Sequence, residues 1–291
     1  MKVSCKRLFD SIVLDWNRWI EENGIPKESK WVVAISGGKD STVVAALAAR
    51  KFGPENVVGV TLPCDGQKDF DDSLKVIDHL GIRHVSIDIG DAVRSLLQGL
   101  ENNAIDASYD AKTNLPARVR MATTYAVAQS VGGIVLNTCN LTETVLGYCS
   151  LFGDDCGSYS PIGNLTVTEV IALGDWLKLP RELTHKTPID GLQPLTDEEK
   201  LGMKYADVDE FIRDDKGTPE LKDKVVDMYL RNRFKRRIVR VPAPFIELPN
   251  YVEGAAMSRP TPKKALTGKS GSGRISARLK AKSKTARRRT K

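Results

Sequence analysis

Between residues 31 and 138, short apolar runs alternate with longer stretches of helical spacing, and this alternation constrains the fold more than any other feature of the chain. Residues 31–35 (WVVAI), 57–62 (VVGVTL) and 134–138 (IVLNT) are short apolar runs that read as buried strands. Val85, Ile87 and Ile89 alternate, so residues 85–89 read as a further strand. Residues 42–52, 70–80 and 116–131 read as helices, the first two closed by Gly53-Pro54 and Gly81. Such an order predicts an α/β fold: an open parallel sheet with helices on both faces, since parallel neighbours need a crossover connection that packs on the sheet. A helix over residues 4–22 precedes this region, and helices over 168–177, 197–213 and 220–235 follow it. Residues 139–163 carry no periodicity; an irregular stretch of that length is usually functional, and it reads as a lid.

The formal charge of +7 divides unevenly. Residues 254–291 hold 13 Lys or Arg and no acidic residue, which leaves residues 1–253 at −6. The chain therefore reads as a mildly acidic domain, 1–253, and a basic tail, 254–291. The tail has too few large apolar groups to offset its ordering entropy and is expected to be disordered. No run of 18 apolar residues occurs, so no membrane association is expected. Lys6, Arg7 and Asp10 interrupt any secretory h-region, which makes a cytoplasmic location the default. Five cysteines without a CxxC pair read as reduced thiols, and three scattered histidines lack metal-ligand spacing.

The sharpest local signal is Ser36-Gly37-Gly38-Lys39-Asp40-Ser41, between a strand and a helix. Two glycines let backbone approach a phosphate, and the helix start offers free N–H groups and a positive dipole end. Asp40 repels an anion unless a cation bridges the two, and Mg²⁺ serves that purpose. Walker A spacing is absent: Val33 stands where the first glycine belongs, and Asp40 follows the lysine. GxGxxG is absent here too. A bare strand–helix turn with a polar cap is the plainer alternative.

The hexapeptide resembles the pyrophosphate loop of the ATP pyrophosphatases, which cleave ATP between its α- and β-phosphates while adenylating a carbonyl-type oxygen. Further stretches resemble the ammonia-dependent NAD synthetase family in order and spacing over roughly residues 30–240. They are residues 62–72 (LPCDGQKDFDD), 114–125 (NLPARVRMATTY), 137–154 (NTCNLTETVLGYCSLFGD), 186–192 (KTPIDGL) and 201–211 (LGMKYADVDEF). The resemblance implies an adenine nucleotide alpha hydrolase-like fold, a homodimer, ATP as co-substrate, Mg²⁺ as cofactor, and ammonia and deamido-NAD as the other substrates. It implies that Ser36, Gly37, Gly38, Lys39, Asp40, Ser41 and Thr138 bind ATP, and that Asp40 and Glu143 hold the metal. Asn114, Arg118 and Lys235 are implied to bind deamido-NAD, and Asp40, Lys39 and Lys186 to act in catalysis.

The chain departs from the family at four positions. Leu151 and Ser158 stand where many members carry a lysine and an aspartate that contact deamido-NAD. Val167 falls on an ATP-contacting lysine and Ile189 on a threonine. Lys39, where glutamine is common, and Lys186 are the available replacements for the lost charge. Nothing in the sequence resembles an amidase domain, so free ammonia or a separate amidase chain is the expected nitrogen source. Two other readings remain: a tRNA-modifying ATP pyrophosphatase, and an inactive synthetase-like protein that binds nucleic acid. The basic tail supports a weak nucleic-acid association in either case.

Overall fold

The computed structural model describes residues 4–65, 70–186 and 196–236. The chain divides into two compact units, Met1–Asp209 and Glu210–Lys291. At the centre of the first lies a four-stranded sheet of β1 (Lys30–Ala34), β2 (Val57–Thr61), β3 (Arg83–Ser86) and β4 (Gly133–Val135). The strand order is β3-β2-β1-β4. Every pair is parallel: Trp31 lies beside Val57 on one side and Ile134 on the other.

The helices are α1 (Cys5–Asn23), α2 (Lys39–Phe52), α3 (Phe70–Leu80), α4 (Gly90–Glu101), α5 (Tyr109–Ser130), α6 (Leu141–Leu146), α7 (Val167–Trp176), α8 (Arg181–Thr184), α9 (Asp197–Leu201), α10 (Tyr205–Asp214) and α11 (Pro219–Arg231). A 3-10 turn, Arg233–Arg236, follows α11.

Strand alternation sorts the core into two layers. Trp31, Val33 and Ile35 join Trp16 of α1, Leu47 of α2, Leu173 of α7 and Leu183 of α8. Val32, Val58 and Val60 face the other way, onto Val93 of α4 and Val127 and Ala128 of α5. Burying each such side chain contributes about 1.5–3 kcal/mol, and strands covered on both faces read as continuous apolar runs for this reason. The expected α/β fold, with helices on both faces of an open parallel sheet, is what the chain adopts. Trp16 anchors α1, packing edge-on to Trp31 at 5.1 Å and stacking on Tyr159 at 4.9 Å.

Several boundaries differ from the sequence reading. β3 ends at Ser86, short of Ile89, although Ile87 N–H still donates to the Thr61 carbonyl and Ile89 N–H to that of Pro63. The chain stays hydrogen-bonded to the sheet edge while turning into α4, an unexpected helix. α5 starts seven residues before Pro116, because the Ser108 hydroxyl accepts from Ala111 N–H and caps it there. Pro116 sits inside the helix, where it removes one ladder hydrogen bond. The helix expected over 197–213 breaks at Gly202, whose φ of +58° closes α9 before α10 begins. β4 stops at Val135, so Thr138 lies beyond the strand. Residues 139–163 contain a short helix, α6, and are not wholly irregular.

No helix among the described residues is long and apolar enough to cross a membrane. Ile189 and the basic tail lie outside the described residues.

Candidate functional site

The strand order makes β1 and β4 neighbours, while β2 and β3 lie on the far side of β1. Open parallel sheets bind ligands at the carboxyl edge, where chain direction diverges from a central pair. The glycine loop leaves the carboxyl end of β1, and residues 136–143 leave that of β4.

Gly37 has φ of +78°, a backbone state that costs an L side chain energy. A Cβ at Gly37 would also lie 2.9 Å from both Asp72 Cβ and Ser73 N at the start of α3. Glycine is therefore required on two counts. Ser36 and Ser41 close the loop: their hydroxyls are 3.2 Å apart, Ser36 N–H donates to Ser41 Oγ, and Ser41 Oγ donates to the Gly38 carbonyl. Gly38 caps α2 without a side chain, leaving the first amides of that helix free of a capping group.

Asp40 and Glu143, 103 residues apart in sequence, meet through Asn140. The Asn140 side-chain amide donates to Asp40 Oδ1 at 3.0 Å. Its backbone N–H donates to Glu143 Oε2 at 3.0 Å, and its side-chain oxygen accepts from Glu143 N–H at 3.0 Å. The last two bonds form a capping box at the start of α6. Asn140 is wholly buried, so one residue, through its side-chain amide and its backbone N–H, fixes both carboxylates without exposure to water.

Lys39 completes the cluster. Its ammonium donates to Asp40 Oδ2 at 2.8 Å and lies 5.8 Å from the centre of the Tyr205 ring. Burial disfavours this charge, but Asp40, Glu143 and Asp197 together outweigh it and hold the lysine pKa above its ordinary value. Burial, then the Asp40 charge, push the Glu143 carboxyl up to about 8, while Lys39 pulls the other way. Burial followed by Asp197 and Glu143 raises Tyr205, and the Tyr148 hydroxyl donates to Asp197 at 3.2 Å.

The donor set fits Mg²⁺. Among the described residues no three His, Cys, Asp or Glu side chains group as a metal cage. A pair of hard carboxylates suits an ion that takes one or two protein ligands and fills its other positions with water and substrate phosphates. The crowding that raises Glu143 is what a divalent ion relieves.

The other expected residues divide. Lys186 donates to Asp72 Oδ2 at 2.8 Å, so it is tied to the helix start that packs on Gly37 and not to Asp40. Arg118 Nε donates to the Leu151 carbonyl at 3.3 Å, and Ser150 Oγ to Asn114 Oδ1 at 2.5 Å. Both α5 residues therefore meet the 150–151 stretch, whose side chain at Leu151 is apolar. Thr138 is partly buried next to Cys139. Lys235 lies in the 3-10 turn of the second unit. Val167, at the expected lysine position, is 4% exposed, and its N–H donates to Thr142 Oγ1. The side chain here is apolar and buried, so this residue supplies no charge to the site.

Asn140, Asp197 and Tyr205 went unnoticed in the sequence. For Asn140 the signal was available: N-x-x-E is a helix-start signature. Nothing local marks the other two.

The sequence matches the family described as NAD synthase over residues 13–239. A relative described as NH(3)-dependent NAD(+) synthetase, from Carboxydothermus hydrogenoformans, is 33% identical over 83% of this chain and 99% of its own. Another of that description, from Archaeoglobus fulgidus, is 35% identical over 71% of this chain and 85% of its own. Among solved structures, the NMN synthetase from Francisella tularensis superposes with a TM-score of 0.75 at 31% identity, covering 83% of this chain and 99% of that one. The family-wide match and the glycine loop at the carboxyl edge of β1 lead to one conclusion: the chain belongs to the NAD synthase family.

Proposed function

We propose that this protein amidates deamido-NAD with ammonia to give NAD, using ATP and releasing AMP and diphosphate. The observation that carries the reading is the Asp40–Asn140–Glu143 bridge beside the glycine loop, in a chain of this family. A carboxylate resists ammonia because its carbon is electron-rich and oxide is a poor leaving group. In the first step a nicotinate carboxylate oxygen attacks the α-phosphorus of ATP, and the bond to the β-phosphate bridging oxygen breaks. The free amides at the start of α2, the Ser36 and Ser41 hydroxyls and the Lys39 ammonium meet the leaving diphosphate. In the second step ammonia adds to the acyl carbon, its nitrogen gives up a proton to solvent, and AMP departs, its phosphate keeping the electron pair. Neither step needs a covalent enzyme nucleophile, so positioning and charge stabilisation dominate. Asp40 and Glu143 would hold Mg²⁺, which supplies charge neutralisation for the phosphates. Arg118, Asn114 and Lys235 are the proposed contacts for the dinucleotide, Thr138 for ATP, and Lys186, bonded to Asp72 at the start of α3, for catalysis.

Incubation with deamido-NAD, Mg·ATP and either ammonium or glutamine tests this. NAD and AMP forming in equal amounts with ammonium alone is the expected result. ADP formation, or AMP formation that requires tRNA, overturns it.

A second reading concerns the acceptor. The likeness to an NMN synthetase, together with Leu151 and Ser158 at positions where charges contact the dinucleotide, favours the mononucleotide acid as an alternative substrate. Comparing kcat/KM for the two acids decides between them.

We further propose a cytoplasmic homodimer whose catalytic domain is residues 1–253. Leu96 of α4, Ile105 of its connection to α5 and Tyr109 at the start of α5, each more than half exposed, support a dimer face. The basic composition of residues 254–291 supports a weak nucleic-acid contact.

A further inference from the structure

Lys39 is costly where it stands. It opens α2, where the helix dipole disfavours a cation, and its side chain is 7% exposed. Burying an ammonium there requires a strong partner, and its surroundings are acidic: Asp40 at 2.8 Å, with Glu143 and Asp197 close enough to stabilise its charge. Asn140 pins Asp40 from the opposite side through Oδ1, while Lys39 takes Oδ2. Both oxygens of a carboxylate assigned to the metal are thus already occupied, one of them by a positive charge.

We infer that Lys39 is an internal counter-ion that competes with the divalent cation for Asp40, so that the metal is admitted only together with ATP, whose phosphates give the displaced ammonium a new anionic partner. The inference rests on the proposed role of Asp40 and Glu143 in the ATP–metal site. It adds an order of events: metal and lysine exchange at Asp40, and Lys39 moves with the phosphates. The lysine keeps the acidic pair neutralised between turnovers and suppresses capture of stray divalent ions.

Titration of Mn²⁺ into the full-length protein without nucleotide, read by calorimetry and by the paramagnetic signal of free Mn²⁺, tests this. Wild-type protein is expected to bind Mn²⁺ at least tenfold more weakly than Lys39→Gln and Lys39→Met, since one unit of like charge at contact range in a shielded site shifts cation binding by about that factor or more. Adding a non-hydrolysable ATP analogue should close the gap. Both variants should melt at lower temperature than wild type without metal and recover when Mn²⁺ is added; a merely structural lysine would give the first effect without the second. Two variants are used because one of them can fail to fold. Mn²⁺ affinity in the folded variants no tighter than in wild type overturns the proposal, as does wild-type Mn²⁺ binding that is equally tight with and without the analogue. Because no product is measured, this experiment fails independently of the NAD-forming assay.

Discussion

Asn140 holds two carboxylates that repel each other, and it does so with three hydrogen bonds and no charge. Asn140→Ala removes the α6 cap, at about 1 kcal/mol, and releases Asp40 from Glu143. Groups that orient metal-binding carboxylates typically cost about 10–100-fold when lost, and a drop of that size in kcat/KM is expected, read by steady-state assay alongside a thermal melt. Asn140→Ser retains a cap oxygen but is too short to donate to Asp40, so it should recover the melting temperature without recovering activity. Glu143 gives a pH-dependent test. Its folded pKa of about 8 lies above the ordinary 4.5, so the folded state retains a proton that the unfolded state has lost across that window. Its contribution to stability is full below about pH 4.5 and is lost as pH rises through 8. Without metal, Glu143→Gln should therefore melt above wild type at pH 8, and the difference should vanish near pH 4.5. A constant difference across that range would refute the assignment.

At the scale of elements, the site depends on how two helix starts are pinned. Asp209 of α10 is 3% exposed and accepts from Thr142 Oγ1 at 2.6 Å and from Thr168 N–H at 2.7 Å. Burial raises its carboxyl, and these donors counter the effect. One buried side chain thus ties the first turns of α6 and α7, and α6 carries Glu143. Asp209→Ala leaves a buried hydroxyl and a backbone N–H without their acceptor. Hydrogen bonds to a charged group contribute about 1.5–3 kcal/mol each, so a loss of roughly 3–6 kcal/mol is expected in urea denaturation. Metal affinity should fall with it, because Glu143 loses its fixed position. The same pinning holds the first residue of α7, Val167, in the core, its N–H bonded to Thr142.

At the scale of the whole molecule, two features lie outside the chemistry. If α4 and its connection to α5 form a dimer face, placing a charge on it should separate the subunits. Light scattering after size exclusion should give a dimer for wild type and a monomer for Leu96→Glu combined with Ile105→Glu; a monomeric wild type would end the proposal. Removing residues 254–291 should abolish retention on a DNA or heparin column at low salt and leave kcat unaltered. Retention that survives truncation would mean that the basic tail is not the contact.

By itself the sequence determined the alternation of strands and helices, the glycine loop after β1, and the two-sided burial of the sheet, because apolar period and turn chemistry are local properties that short windows record. The parallel sheet follows from that alternation. Only the tertiary structure decided which polar groups meet. The order β3-β2-β1-β4 brings the end of β4 next to the end of β1, and thereby Asn140 to Asp40, a hundred residues earlier. Periodicity records which side of each strand is buried, not which strands are neighbours. The partner of Asp40, the burial of Lys39 and the pin at Asp209 were therefore invisible until the strands were ordered.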